Sequence, residues 1–301
     1  MSGSSLQTDR QKKSSSNPMN KRPVPMLLKL LRLIFSIGGK LAPKLTGLGA
    51  YKLWFRPTRF QTPASEREIL ESAKVEQLKI DQHSIATYSW GTAEPTVLLV
   101  HGWSGRGTQL GNFVSPLLKA GYRVISFDAP AHGKSSGKQT NLYEVADVIV
   151  GLQEHYGNFE SVITHSFGGP CLAVAMQRGF KASRVINISP PATTEGLVEK
   201  FIHTLNIPAK AGLNLMHRIE TQFGKTIWHD ISMKNTVKGL SLPALVIHDE
   251  HDTDVPWQEG ELVAQSWNNA DFIKTTGLGH RRILRDTAVI DSTINFITVA
   301  A

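Results

Sequence analysis

The 301-residue chain has a single cysteine, Cys171, so no disulfide can close within it and a disulfide-stapled fold is excluded. It also lacks any apolar run of the ~20 residues needed to cross a bilayer. In its most apolar stretch, residues 26–37, the longest uncharged run is Leu33–Gly39. Charges inside that stretch argue against a cleaved secretory signal as well. Acids are almost missing from the first 60 residues, where Asp9 alone stands against 12 Lys and Arg, a balance of +11. The other 241 residues hold 21 basic side chains against 24 acids, −3, so the formal net charge of +8 belongs to an N-terminal arm. Nucleic acid is therefore not the expected partner of the body, and no interleaving of aromatic and basic residues suggests otherwise.

The rest of the composition, 41% hydrophobic and 19% charged, is that of an ordinary globular protein. Residues 1–22 are rich in Ser, Lys and Gln and are expected to form a disordered basic tail. Residues 23–60 read as a basic amphipathic arm. Lys29, Arg32, Ser36 and Lys40 recur at helical spacing and leave a narrow polar stripe on an otherwise apolar helix. Pro25 marks its start, and Gly38-Gly39 with Pro43 its end. Two readings stand for residues 26–44: a helix packed on the body, or an interfacial helix on an anionic membrane surface. The chain is expected in the cytoplasm, with peripheral membrane association under the second reading.

Residues 61–301 are expected to form the main domain. An antiparallel pair, 74–81 and 83–90, opens it. Short apolar strands follow at 96–102, 123–128, 161–166, 184–189 and 244–249, with helix-length segments at 108–120, 141–156 and 167–179. Strands apolar on both faces and alternating with helices predict a mostly parallel sheet covered on both sides, with ligands at the carboxyl ends of the strands. Between 189 and 244 the rhythm breaks, and residues 193–241 read as short helices interrupted by Pro208, Gly212 and Gly224, a candidate lid.

Polar residues gather where strands end. Strand 161–166 runs straight into Ser166-Phe167-Gly168-Gly169 and an apolar helix. A serine on such a turn is exposed in a strained conformation, and the small residues beyond it let strand and helix approach. Thr164 stands where a glycine usually does. Upstream, His101-Gly102-Trp103 ends a core strand. Downstream, the acids Asp249, Glu250, Asp252 and Asp254 follow another, and His280 sits behind a Gly-rich turn.

Serine, acid and histidine in this chain order, each after a strand, resemble the α/β-hydrolase fold family and its serine esterase and lipase-like members. The segment 128–137, DAPAHGKSSG, is similar to a loop of that family, and the resemblance covers roughly residues 74–299. It implies Ser166 as nucleophile, His280 as general base and then acid, and Asp252, followed by Val255-Pro256, as the orienting acid, with Asp254 the alternative. It implies an oxyanion hole from the backbone N–H groups of Trp103 and Phe167, with Gly168 and Gly169 as elbow glycines. Family members that open epoxides or displace halide use a carboxylate where this chain has Ser166. The implied chemistry is hydrolysis of a small-molecule carboxylic ester, thioester or lipid-like ester without a cofactor. Alternatives are a carbon–carbon bond hydrolase or perhydrolase on the same residues, or a non-catalytic binding module. Phe201, Leu205, Leu213, Leu215, Met216 and Trp228 in the lid segment suggest an apolar acyl group. No metal is expected, because His248 and His251 lack a third ligand at suitable spacing. His101, His165 and His132 are expected to satisfy backbone hydrogen bonds, and Cys171 to be a small core residue.

Overall fold

The structure, a computed structural model, describes residues 25–299; the tail expected over residues 1–22 lies outside the described residues. Its core is one sheet of eight strands in the order β1-β2-β4-β3-β5-β6-β7-β8. These are β1 (Lys74–Ile80), β2 (His83–Trp90), β3 (Thr96–Val100), β4 (Arg123–Phe127), β5 (Phe159–His165), β6 (Ala182–Ile188), β7 (Ala244–Asp249) and β8 (Ala270–Thr275). β1 pairs antiparallel with β2, and β2 with β4; every other pairing is parallel.

Alternation along the strands explains why the parallel ones read as continuous apolar runs. In β3, Leu98 and Val100 enter one core while Val97 and Leu99 enter the other; in β7, Ala244 and Val246 oppose Leu245 and Ile247. With both faces buried, neither can be polar.

The described residues begin with α1 (Met26–Leu41), α2 (Pro43–Trp54) and the short α3 (Arg67–Glu71). α4 (Val114–Lys119) follows β3, α5 (Leu142–Tyr156) follows β4 and α6 (Gly168–Gln177) follows β5. The long interval after β6 holds α7 (Thr194–Thr204), α8 (Ala209–Phe223), α9 (Ile227–Asp230) and α10 (Met233–Thr236). α11 (Trp257–Ser266), α12 (Gly279–Arg282) and α13 (Thr287–Thr298) complete the chain. α5 and α6 cover one face through residues such as Ile149 and Leu172, and α4 and α13 the other through Leu117 and Ile290. α5 shows how local sequence sets an element: Asn141 accepts from Glu144 N at 3.1 Å as N-cap, and Gly157, at φ +84°, ends the helix.

One strand is absent from the sequence reading, and two expectations need correction. β8 carries Asp271 and Lys274 on a sheet edge, so it lacks the apolar run that marks the central strands. The segment 108–120 is a 3₁₀ stretch, Gly107–Phe113, before it becomes α4. Gly212 does not interrupt the lid segment; it lies inside α8, where a Cβ would meet Ile202 of α7 at 3.2 Å.

The arm does pack on the body. A Cβ on Gly47 of α2 would come within 2.6 Å of Asn214, and one on Gly39 of α1 within 2.5 Å of Pro208, so both glycines permit close contact with the α8 region. Among the described residues no helix is long and apolar enough to cross a membrane.

Candidate active site

Ser166 occupies the turn between β5 and α6 with φ +51°, the left-handed region that costs a non-glycine residue about 1 kcal/mol or more. Backbone bonds hold it there: Ser166 N donates to Ile188 O at 2.9 Å, and Gly169 N donates to Ser166 O at 3.0 Å. Gly168 is required by packing, since a Cβ would sit 2.7 Å from Val100 O. Thr164 is accommodated because its hydroxyl donates to Asn187 Oδ1 of β6 at 2.7 Å.

Two residues that line the same cavity as this serine have backbone donors without an acceptor. Among the described residues, neither Trp103 N–H nor Phe167 N–H makes a hydrogen bond. Their rings meet edge to face at 5.2 Å. Gly102 lets the loop after β3 approach the elbow, for a Cβ there would lie 3.0 Å from His165 Nδ1 and 3.2 Å from Ser166 Cβ. The next turn of that loop is held by Ser104 N donating to His132 Nε2 at 3.0 Å.

His280 and Asp252 come together after β8 and β7. His280 Nδ1 donates to Asp252 Oδ2 at 2.6 Å, and the buried Asp252 also accepts from Asp254 N at 2.8 Å and Val255 N at 2.9 Å; His248 Nε2, which donates to Val255 O at 3.0 Å, lies 3.2 Å from Asp252 Oδ2. Burial alone would raise the Asp252 pKa; the nearby His248 and the bonds from His280 and Val255 N outweigh it and hold the carboxyl well below its usual range. Asp252 is thus the carboxylate bonded to His280, while Asp254 contributes its N–H and is exposed. No hydrogen bond joins Ser166 to His280 in this conformation; both line one cleft, and such bonds often tighten only with substrate present.

Sequence reasoning missed Asp249 as an anchor of the histidine loop. One of the four acids at or after the end of β7, it is fully buried. It accepts from Gly279 N at 2.8 Å, Leu278 N at 3.0 Å and Thr275 Oγ1 at 2.9 Å. Burial opposes its charge, but these donors hold its pKa below the usual value. The Gly-Leu-Gly stretch before His280 was the available signal, because its free N–H groups need an acceptor.

His101 and His132 are neutral framework. Burial pushes His101 down to about 4 and His132 to about 3. His101 accepts from Ala129 N at 3.0 Å and donates to Gly102 O at 2.7 Å; His132 donates to Pro130 O at 2.9 Å. Arg59, also missed, fixes the 128–137 loop by donating to the carbonyls of Ala131, Gly133, Ser135 and Gly137 at 2.7–3.0 Å. Cys171 is fully buried, and burial pushes its thiol pKa up. His248 lies against Asp252 inside the core.

Two cavities meet at Ser166 and Trp103. One, of about 220 Å³, is walled by apolar side chains, among them Leu197, Val198, Ile219, Phe223 and Trp228. Of the six residues expected to supply this lining, only Trp228 does so; Leu205 and Leu215 are buried in the core and Leu213 is 66% exposed. The amphipathic pattern identified the right segment, but it could not tell which turn of each helix meets the cavity. The arm unexpectedly adds Trp54 and Phe55 to the wall. The other cavity, of about 540 Å³, is more polar; its lining includes His280, Gln109, Arg106, Arg281 and Arg285 together with the carboxylates Glu66 and Asp254. Glu66 pairs with Arg106 at 2.6 Å, whereas no carboxylate among the described residues lies within 4.0 Å of Arg281 or Arg285.

A strained serine at a strand-to-helix turn, two free N–H groups beside it and a histidine–aspartate pair on this sheet define an α/β-hydrolase. The sequence matches the alpha/beta hydrolase family over residues 97–259, and the chain belongs to it. It is 27% identical to epoxide hydrolase B of Mycobacterium tuberculosis over 122 residues, 38% of this chain and 34% of that protein. The match thus spans about a third of that relative's length. An uncharacterized hydrolase of Bacillus subtilis, YugF, is 23% identical over 228 residues, 62% of this chain and 83% of the other. Among solved structures, mouse alpha/beta hydrolase domain-containing protein 10 superposes with a TM-score of 0.61 at 19% identity, covering 75% of this chain and 97% of that one.

Proposed function

We propose that the protein is a serine hydrolase that cleaves a carboxylic ester, thioester or lipid-like ester through an acyl-enzyme on Ser166. The observation that carries this reading is the 2.6 Å bond from His280 to a buried, ionised Asp252, on the cleft that Ser166 also lines. Ser166 Oγ attacks the carbonyl carbon as His280 Nε2 takes its proton, and the carbonyl oxygen gains negative charge between Trp103 N–H and Phe167 N–H. Asp252 holds the imidazole proton on Nδ1 and stabilises the imidazolium. The bond to the leaving group then breaks, and His280 returns the proton to it. Water, deprotonated by His280, releases the acyl group by the same steps in reverse. A serine at position 166 supports acyl transfer over the epoxide opening named for one relative, because the ester intermediate of that chemistry forms on a carboxylate.

The apolar cavity takes the acyl group, with residues 193–241 as its lid. The polar cleft takes the leaving group, and Arg281 and Arg285 favour one that carries negative charge. In this reading the protein works in the cytoplasm, peripherally associated with an anionic membrane through residues 26–44. A chain-length series of aryl esters tests the substrate assignment. Turnover is expected to peak at medium or longer chains, and a preference confined to acetate and propionate would contradict it.

A further inference from the structure

We infer that the outward face of α1 is a docking surface for an anionic lipid bilayer. α1 has two apolar faces, and only one is used by the protein. On the inner face Phe35 and Gly39 are buried, Leu28 and Leu31 pack on the core, and Arg32 Nε donates to Thr204 O at 2.7 Å. On the outer face Leu27, Leu30, Leu33, Ile34, Ile37 and Leu41 are each between 51% and 80% exposed. At 100° per residue these six fall within an arc of about 120° that faces away from Phe35 and Gly39, with no charged residue inside it. Single exposed leucines are ordinary; a continuous stripe along a whole helix marks an interaction surface.

Charge identifies what covers the stripe. Lys29 and Lys40 are exposed along one edge of the arc, and Lys44 follows at the start of α2. Residues 1–60 carry 12 Lys and Arg against one Asp. A second copy of this chain would bring the same excess of positive charge against the first, whereas anionic headgroups complement it and the lysine stems can reach them over the apolar face. The 16 residues of α1 span about 24 Å, too short to cross a hydrocarbon core of about 30 Å but suited to lying in its interface. The arm is also part of the catalytic body. α2 lies against α8, Trp54 and Phe55 at the end of the arm wall the apolar cavity, and Ile219 and Phe223 of α8 share that wall. A bilayer held by α1 therefore lies against the same packed unit that receives the acyl chain, and the ester is drawn from that bilayer. This last step rests on the ester-hydrolase reading; the docking itself does not.

The test uses the full chain and the variant Leu30→Ser/Ile37→Ser, whose changed side chains are solvent-exposed. Each is sedimented with vesicles of phosphatidylcholine plus phosphatidylglycerol and with vesicles of phosphatidylcholine alone. The wild type is expected to sediment with the anionic vesicles and to be released by high salt, and the variant's partition coefficient to be at least about tenfold lower. Hydrolysis of an ester embedded in the vesicles should fall in parallel, while hydrolysis of soluble aryl butyrate and the melting temperature stay at wild-type values. Docking is overturned if the wild type remains in the supernatant, or if variant and wild type bind alike. It is equally overturned if the wild type is a dimer that the double substitution makes monomeric, for then a second copy covers the face. Vesicle binding as expected together with no turnover of either ester would instead overturn the hydrolase reading and leave the docking in place.

Discussion

His165 donates from Nε2 to the backbone carbonyl of His280 at 2.9 Å. The residue before the serine thereby holds the loop that carries the histidine, and the two rings lie 4.7 Å apart. Burial pushes the His165 pKa down to about 3, so the ring is neutral at working pH with its proton on Nε2. Its Nδ1 has no partner. The expectation that His165 serves a backbone bond thus acquires a purpose: the carbonyl it serves belongs to the proposed general base.

His165→Ala is expected to lower kcat by roughly 10- to 100-fold with little change in KM, because a base displaced by a fraction of an ångström loses its alignment while the cavity walls remain. His165→Gln keeps a donor and should recover most of the loss. Steady-state kinetics on one soluble ester decide it, and wild-type kcat in His165→Ala would remove the positioning role.

Two imidazoles lie against Asp252, His280 bonded to it at 2.6 Å and His248 at 3.2 Å with its bond to Val255 O, and the two should differ in weight. Asp252→Asn should cost about 10³–10⁴ in kcat, the size seen where an amide fixes the wrong histidine tautomer. His248→Phe should cost only about tenfold, since His280 and the N–H groups of Asp254 and Val255 still hold the carboxylate. Equal losses in the two variants would show that His248 does more than support Asp252.

Three buried histidines make stability depend on pH. In the folded chain His101 titrates at about 4, and His132 and His165 at about 3. All three lie below the unfolded value of about 6.5. Between those limits the unfolded state binds more protons, so stability is complete above pH 6.5 and falls as pH is lowered, by up to about 1.4 kcal/mol per histidine per pH unit. Asp249 and Asp252, held below the ordinary carboxylate range, add their loss only at pH values under about 4. Melting temperature should therefore drop steadily from pH 7 to pH 5, and His132→Asn should flatten the slope by about a third. An unchanged melting temperature over that interval would contradict the neutral assignment.

Ile219 lies on the wall of the apolar cavity and is 3% exposed. Ile219→Trp should shorten the cavity and lower kcat/KM for an octanoate ester at least tenfold relative to butyrate, as a group of this size is worth about 1–3 kcal/mol in an apolar pocket. Equal effects on both esters would place the acyl group elsewhere.

Arg281→Gln/Arg285→Gln should lower kcat/KM for an aryl ester with a carboxylate on its leaving group about tenfold more than for the neutral analogue. An unchanged ratio would show that the leaving group does not meet these side chains.

Much of this architecture is legible in the sequence because its signals are local. The central strands are apolar on both faces, so β3 to β7 stand out, whereas β8 on the edge, with Asp271 and Lys274, does not. Ser166 and His280 are marked by turns that follow strands, and the resemblance to the family, through Val255-Pro256, singles out Asp252 among the four acids. Less visible are contacts fixed only by three-dimensional packing: Arg59 on a loop more than 70 residues away, Asp249 under the histidine loop, and Trp54 in the wall of the cavity. The arm illustrates both sides. Its periodicity showed a narrow polar stripe, but a helix with apolar residues on two faces can satisfy both readings at once, and only the packing of Phe35 and Gly39 reveals which face is occupied.

The most direct measurement is labelling of the folded protein with a fluorophosphonate probe, which phosphonylates a serine only where a base and an oxyanion hole activate it. Wild-type protein is expected to take up one equivalent at Ser166, located by peptide mass, and Ser166→Ala none. Folded wild-type protein that takes up no label, or that labels equally in Ser166→Ala, would contradict a catalytic serine at this elbow.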